Sequence, residues 1–555
     1  MRRKRTKAGL TVNAIAGTHV VTLGLNLSDA KRKGCLGFAV QREDHTEDEK
    51  VWMRGTKTFE ATMPHPDPGE QVSTRDHPVQ TFLWADYSAK PGYEYSYTVL
   101  PLYGTPASLK EGDALSVRVK TEEEFGGRHS VFFNRGAAAS QEYARKFKNR
   151  YPHEVGPRAY EWLSRGLLEA LLTFLGRAKG SAYALYGAVY EFQWPAVLEA
   201  LRDIAKSQAR VRVIFDAIKG DAKPRAKNLK AIEDAKIKGL TIERSKGTLM
   251  HNKFFVLTKN DKPVAVWTGS TNLTENGIFG HSNCGHVVED AGVARAYLDY
   301  WNELKGNPTN AESKDWTEVN NPAPPVPWDK ATTPVFSPHR GLAALDWYAE
   351  IANSAKRGLF MTFAFGMHKN FLKVYEQNDG VLRFALMEKE GNGKGLAQGR
   401  IDIRRVRKLP NVIVALGNSL TLNAFDRWLK ELPQPTPHAH VKWIHTKYML
   451  VDPLGAKPIV VTGSANFSGA STDTNDENML VIRNDKRIAD IYLGEFMRLY
   501  THYAFREVVG FMRAKEGAEA VWRPNYLDDD PARWQKDYFE KGDPRSLRRE
   551  YFAGL

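Results

Sequence analysis

The sequence predicts a multidomain chain: an N-terminal β-sandwich followed by two α/β halves, each an α-β-α sandwich. Three observations carry this reading. Short strand-like runs, separated by Gly, Pro, Asp and Lys clusters, fill residues 1–122. From about residue 150 apolar strands alternate with helical segments, the pattern of a largely parallel sheet covered on both faces. Finally, His251, Lys253, Gly269, Ser270 and Asn272 recur as His445, Lys447, Gly463, Ser464 and Asn466, every one displaced by 194 residues. Five identities in rigid register define a duplicated half-site.

A chain of 555 residues exceeds a single core and divides into about three units. With 79 Lys+Arg against 65 Asp+Glu, the net charge is +14, which suits a polyanionic partner. Nucleic acid is the first expectation and an anionic phospholipid surface the second. Cys35 and Cys284 cannot build a disulfide framework, which favours a reducing compartment. The basic N-terminus is interrupted by Thr, Asn and His where a signal peptide needs an apolar core, and no long apolar run follows, so a cytoplasmic location is expected.

In order, HVVTLGLNL, GCLGFAVQRE, KTFEATM, TFLWADY, YEYSYTVLPLY and LSVRVKT read as strands of the sandwich. The stretch AKPGYEYSYTVLPLYG, with Tyr93, Tyr95 and Tyr97, resembles a fibronectin type III domain, in which a Pro-Gly turn precedes a tyrosine-bearing strand. Such sandwiches serve as spacers or protein-binding modules. The first α/β half, residues 150–305, opens with the helical WLSRGLLEALLTFLGRA. Strand SAYALYGAVY, helix WPAVLEALRDIAKSQ, strand VRVIFDA and helix AKNLKAIEDAKIKG follow. Residues 306–338 contain seven prolines and read as a linker. The second half, residues 339–515, repeats the order with GLAALDWYAEIANSAKR, GLFMTFAFG, NFLKVYEQN and VLRFALME. Its first strand is displaced by about 178 residues rather than 194, which places an insertion of about 16 residues within the basic, glycine-rich GNGKGLAQGRIDIRRVRK. Residues 516–555, mixing aromatics with both charge signs, read as an arm packed on the body or on a second copy.

The chemistry follows from residue types. Side chains two apart on a strand share a face, so His251 projects with Lys253 and His445 with Lys447. Gly269-Ser270 and Gly463-Ser464 make turns able to offer backbone N–H groups and hydroxyls, with Asn272 and Asn466 nearby. Two Lys, two Asn and two Ser form a cage of donors for a tetrahedral phosphoryl group. Two histidines supply a nucleophile and a general acid. The two lysines supply the charge, so neither a metal nor a cofactor is expected. His438 and His440 could place two imidazoles on one face for a metal, but no matching Cys or acid accompanies them. Tyr190–Trp194, at a strand end, could stack on a base or cover an acyl chain.

The run His445-x-Lys447-x4-Asp452, then Gly463-Ser464-x-Asn466, resembles the HxKxxxxD signature of the phospholipase D superfamily. The resemblance spans both α/β halves and implies a pseudo-dimer with one active site and metal-independent phosphodiester hydrolysis. It implies a structural role for Asp452, where the first copy has Thr258. It also implies that Glu477, fourteen residues past Gly463, supports His251 across the pseudo-dyad, and that Asn283, fourteen past Gly269, faces His445. A carboxylate raises the basicity of its histidine and an amide does less. His251 is therefore expected to form a phosphohistidine and His445 to protonate the leaving oxygen, then activate water. A nuclease acting on DNA or RNA is the leading expectation. A phospholipase D or transphosphatidylase, and a binding or scaffold subunit with a weak site, are the alternatives. Pathway (restriction, repair or defence) and oligomeric state are not readable from the sequence.

Overall fold

A computed structural model describes the chain apart from residues 68, 149, 221, 326–328, 392–394, 418–443 and 517–524. The N-terminal region builds its core from two sheets, beside a small two-stranded pairing of Arg54–Gly55 with Val72–Ser73. Strands Arg2–Lys7, Leu10–Ala16, Val21–Leu27 and Leu83–Asp86 form one sheet. In the other, Glu94–Thr105 lies between Gly37–Asp44 and the strands Ser108–Glu111 and Leu115–Lys120, and Glu49–Trp52 borders Gly37–Asp44. Val12, Leu23 and Leu25 meet Phe38, Tyr97 and Val117 in that core. The first two strands were not anticipated. Arg2–Lys7, RRKRTK, is an exposed edge whose charges guard unpaired backbone, so it shows no apolar alternation. KTFEATM, expected as a strand, forms turns instead.

Two larger sheets follow, running in the same sequence of strands. The first is ordered His129–Phe133, Cys284–Val288, Lys262–Gly269, Lys253–Lys259, Tyr183–Val189, Arg210–Asp216, Thr241–Arg244. The second is ordered Asn475–Arg483, Ile459–Gly463, Tyr448–Val451, Gly358–Phe363, Leu382–Met387, Val412–Leu416, with Thr332–Ser337 pairing to Asn475–Arg483. Both sheets are mixed, since Lys253–Lys259 and Tyr448–Val451 run antiparallel to their central neighbours.

The expected helix over 162–178 is broken at Arg165 and Gly166, both with positive φ, into Pro157–Ser164 and Leu167–Leu175. The stretch 306–338 is not a bare linker. Thr309 and Glu312 form a capping box that starts the proline-free helix Asn310–Asn320. Thr332–Ser337 then enters the second sheet as an edge, where Pro334 is tolerated. The sheets also reach beyond the expected domain limits, to His129 in the first and Thr332 in the second.

The insertion lies elsewhere too. GNGKGLAQGRIDIRRVRK contributes the helix Leu396–Val406, which stands where Ala222–Asp234 stands in the first sheet's succession. Thr241 and Val414, paired to Val213 and Ala385 of neighbouring strands, lie 173 apart, whereas His251 and His445 lie 194 apart. The extra length falls between Val414 and His445, mostly outside the described residues, as does the His438–His440 pair.

The C-terminal arm packs on the same chain. Trp534 of helix Pro531–Phe539 stacks on Phe82 with centroids 5.4 Å apart, and its indole N–H donates to the Cys35 carbonyl. In helix Pro544–Ala553, Phe552 carries a carbonyl that accepts from Asn13, while Tyr551 lies against Phe360 of the second sheet. The arm thereby ties sandwich to second sheet. Among the described residues no helix is long and apolar enough to cross a membrane.

Candidate active site

Each motif histidine is placed by the opposite sheet. Leu249–Met250 pairs in parallel with Asn475 and Asp476, and the His251 N–H donates to the Asp476 carbonyl at 2.9 Å. Ile444 bridges Ser282, and the His445 N–H donates to the Ser282 carbonyl at 3.2 Å. One residue further on each partner strand stands the side chain facing the histidine. Glu477 Oε2 accepts from His251 Nδ1 at 2.8 Å, and Asn283 Oδ1 accepts from His445 Nδ1 at 2.8 Å. Both bonds occupy Nδ1, leave Nε2 for chemistry, and fix the tautomer. The two rings stand 6.5 Å apart between centroids.

Four carboxylates that the sequence reading passed over hold this frame. Asp216 Oδ2 accepts from the Met250 N–H and Glu388 Oε2 from the Ile444 N–H, both at 2.9 Å. They end corresponding strands, Arg210–Asp216 and just past Leu382–Met387, which was the available signal. Asp476 is clamped by fully buried Arg244, with Nε to Oδ2 at 2.9 Å. Glu191 accepts from the Asn272 amide.

The lysines behave alike. Lys253 Nζ donates to the His251 carbonyl at 2.6 Å, and Lys447 Nζ to the His445 carbonyl. Each has further donors for an anion, and Lys253 also lies 5.3 Å over the Tyr190 ring. Burial lowers Lys253 to about 7, opposed by Glu477, Glu191 and Asp216. Burial and then Lys253 push Lys447 well below the usual ammonium range. His251 is lowered to about 4 by burial, with Glu477 opposing, and His445 falls well below its usual value by burial and then Lys447. Burial thus disfavours the charged form of all four groups, and an entering anion would favour it.

Gly269 and Gly463 are required by close approach. A Cβ at Gly269 would sit 2.3 Å from the Cys284 carbonyl, and φ there is +144°; at Gly463 it would sit 2.3 Å from the Asn478 carbonyl. The serines do not join the cage as expected. Ser270 Oγ donates to Asn283 Oδ1 at 2.8 Å and accepts from the Cys284 N–H, and Ser464 Oγ accepts from the Asn478 N–H at 3.0 Å. Both are fully buried and brace the partner strand. Asn272 likewise spends its amide N–H on Glu191, whereas the Asn466 amide nitrogen has no such acceptor among the described residues; the side-chain oxygens of both are buried without a hydrogen-bond partner. Asp452 lies away from the histidines and accepts from the N–H groups of Lys356, Arg357 and Gly358, fixing entry to the strand Gly358–Phe363. Thr258, its counterpart, is buried with an unpartnered hydroxyl. Tyr190 packs 5.0 Å from His251, and His281, which the sequence reading missed, packs 5.4 Å from His445.

The family model described as cardiolipin synthase, PLD-like domain matches residues 171–305 and 420–500, segments that contain both His-x-Lys motifs. The chain therefore carries a phospholipase D-like domain. No curated protein matches it. Among similar solved structures is polyphosphate kinase from Porphyromonas gingivalis, 15% identical over 58% of this chain, with a TM-score of 0.37; the match spans only 43% of the kinase. Phosphatidylserine synthase from Haemophilus influenzae is 12% identical, with 62% of this chain and 91% of that chain covered and a TM-score of 0.39. Nuc from Salmonella typhimurium, a phospholipase D family member, is 20% identical, with 31% and 94% covered and a TM-score of 0.23.

Proposed function

We propose that the chain is a phosphodiesterase that cleaves nucleic acid through a phosphohistidine, with the two α/β sheets as duplicated phospholipase D-like repeats around one site. The observation that carries this is the pair of imidazoles, 6.5 Å apart, each held at Nδ1 and flanked by a lysine. His251 Nε2 attacks phosphorus as the bond to the leaving oxygen breaks, and His445 passes its Nε2 proton to that oxygen. Water then gives a proton to His445 while its oxygen attacks phosphorus and the N–P bond breaks, freeing His251 and a phosphomonoester. The Glu477 carboxylate stabilises His251 as positive charge develops, and Asn283 gives His445 only a neutral acceptor. Lys253, Lys447 and Asn466 receive the non-bridging oxygens.

The net charge of +14 supports nucleic acid as substrate. The cardiolipin synthase description of the family model keeps phospholipid in the assay. The N-terminal unit is read as a fibronectin type III-like sandwich that serves as spacer or partner-binding module.

Plasmid, single-stranded oligonucleotide, RNA and phosphatidylcholine, each incubated in excess EDTA with wild type and His251→Ala, test the reading. Cleavage of nucleic acid by the wild type alone is expected. A divalent-ion requirement, or activity surviving the substitution, contradicts the mechanism, and turnover of lipid alone contradicts the substrate.

A further inference from the structure

Strand register matches the residues beside one motif to those beside the other. Gly187 pairs with Phe255 in the first sheet and Met361 with Met449 in the second, and Phe255 and Met449 lie 194 apart, like the motifs that hold them. Gly187 therefore corresponds to Met361, a displacement of 174 that the helix caps Trp194 and His368 keep. Just past these strands, Tyr190 and Glu191 of the first sheet correspond to Ala364 and Phe365 of the second. One side of the site thus has a carboxylate at the position where the other has a phenyl ring. Glu191 is 6% exposed, its backbone carbonyl accepts from the Leu273 N–H at 3.1 Å, and its Oε2 accepts from the Asn272 amide. The adjoining Tyr190 ring lies 5.0 Å from that of His251 and 5.3 Å from Lys253 Nζ. Glu191, with Glu477 and Asp216, favours the Lys253 ammonium against burial. Glu477 is bonded to His251 and Asp216 to the Met250 N–H, while the part of Glu191 in the chemistry is unassigned by the mechanism above.

We propose that Glu191 is a specificity-determining residue: its carboxylate, fixed on the motif asparagine Asn272, makes the site select phosphodiesters, which carry one negative charge, against phosphomonoesters, which carry two. Coulomb repulsion is linear in the charge of the ligand, so a fixed carboxylate beside the phosphoryl position costs a dianion twice what it costs a monoanion. Burial leaves little salt or water to screen that repulsion. The lysines attract either ligand, and Glu191 sets how much of the second charge they are left to hold. The product of the reaction above is a phosphomonoester, so the same carboxylate hastens its departure. It also keeps chain ends that bear a terminal phosphate from occupying the site, which directs the chemistry to internal phosphodiester bonds.

This inference rests on the phosphodiesterase reading, and ligand charge separates the two. Thymidine 5′-phosphate, a dianion at about pH 8, and thymidine 5′-sulfate, a monoanion of the same shape, are titrated as competitive inhibitors of thymidine 5′-(p-nitrophenyl) phosphate turnover in EDTA. A change in the protonation of Lys253 acts on both ligands alike, so the ratio of their inhibition constants reads the charge at position 191. Glu191→Gln keeps an acceptor for Asn272 and is expected to shift that ratio about tenfold in favour of the phosphate. Phe365→Glu adds a carboxylate at the corresponding position of the second sheet and is expected to shift the ratio toward the sulfate. A ratio in Glu191→Gln that stays within about twofold of wild type, or moves toward the sulfate, overturns the role of Glu191 and leaves the phosphodiesterase reading standing. Should Glu191→Gln not fold, an unchanged ratio in Phe365→Glu overturns that role in its place. A wild type with no His251-dependent turnover of the aryl ester overturns both.

Discussion

Glu477 accepts the Nδ1 proton of His251 at 2.8 Å from 226 residues away in the chain, and Asn283 meets His445 at the same distance without a charge. The two histidines have the same geometry, but only His251 has a charged partner. Glu477→Gln keeps an acceptor and removes the charge, so kcat should fall about 10- to 100-fold with KM little changed. Asn283→Asp should slow substrates with alkoxide leaving groups more than aryl esters. Steady-state kinetics on the two substrate types reads both.

Lys253, lowered to about 7 by burial, should impose a pH limb on substrate capture. Below about 7 the ammonium is present; above it the cation is lost and with it part of the attraction for a phosphodiester anion. The kcat/KM profile should therefore fall as pH rises through about 7. Lys253→Arg, whose charge persists, should shift that limb to higher pH even if the maximum rate drops.

Stability should respond to acid with a definite sign. His129 and His251 are both lowered to about 4 by burial, so the unfolded chain binds protons near 6.5 that the folded chain refuses. Folded stability is then complete above about 6.5 and declines as pH drops toward about 4. Denaturant titrations at several pH values should show the midpoint falling across that window, and inorganic phosphate, by restoring negative charge to the site, should reduce the fall.

Asp452→Ala removes an acceptor for three backbone N–H groups, and should cost about 2–3 kcal/mol of stability while leaving kcat within a fewfold of wild type. Thr258→Val, at the counterpart position, replaces an unpartnered buried hydroxyl and should be neutral or stabilising by up to about 1 kcal/mol. Urea midpoints of the two variants test the contrast.

Gly463→Ala would drive a Cβ to within 2.3 Å of the Asn478 carbonyl, one residue beyond Glu477. Backbone must move to admit it, so a loss of about 2–4 kcal/mol and of most activity is expected, measurable by thermal unfolding alongside turnover.

The histidine, lysine and glycine positions were legible because the chain states them twice in one register, and backbone pairing then fixes where they stand. The hydroxyl and amide roles were not legible. Ser270, Ser464 and Asn272 are drawn away by Asn283, the Asn478 backbone and Glu191, partners that only the assembled sheets bring near. Proline counting misread 306–338, although Thr309 and Glu312 announced a helix start inside it. The edge strand Arg2–Lys7 was invisible to an apolar pattern because its exposed face is basic. The insertion was misplaced because length alone does not locate a gap; the strand registers do.

The exchange of strand ends between the sheets, Met250 with Asp476 and Ile444 with Ser282, makes the candidate site a property of the whole chain. A ribosome that has finished the first sheet has built His251 and Lys253 but not the backbone that aims them. Contacts so distant in sequence close late, after most of the entropy of joining the ends has been spent. Recovery of turnover on refolding should consequently lag behind recovery of secondary structure. A chain severed between the sheets should yield two inert pieces whose combined activity rises with the product of their concentrations.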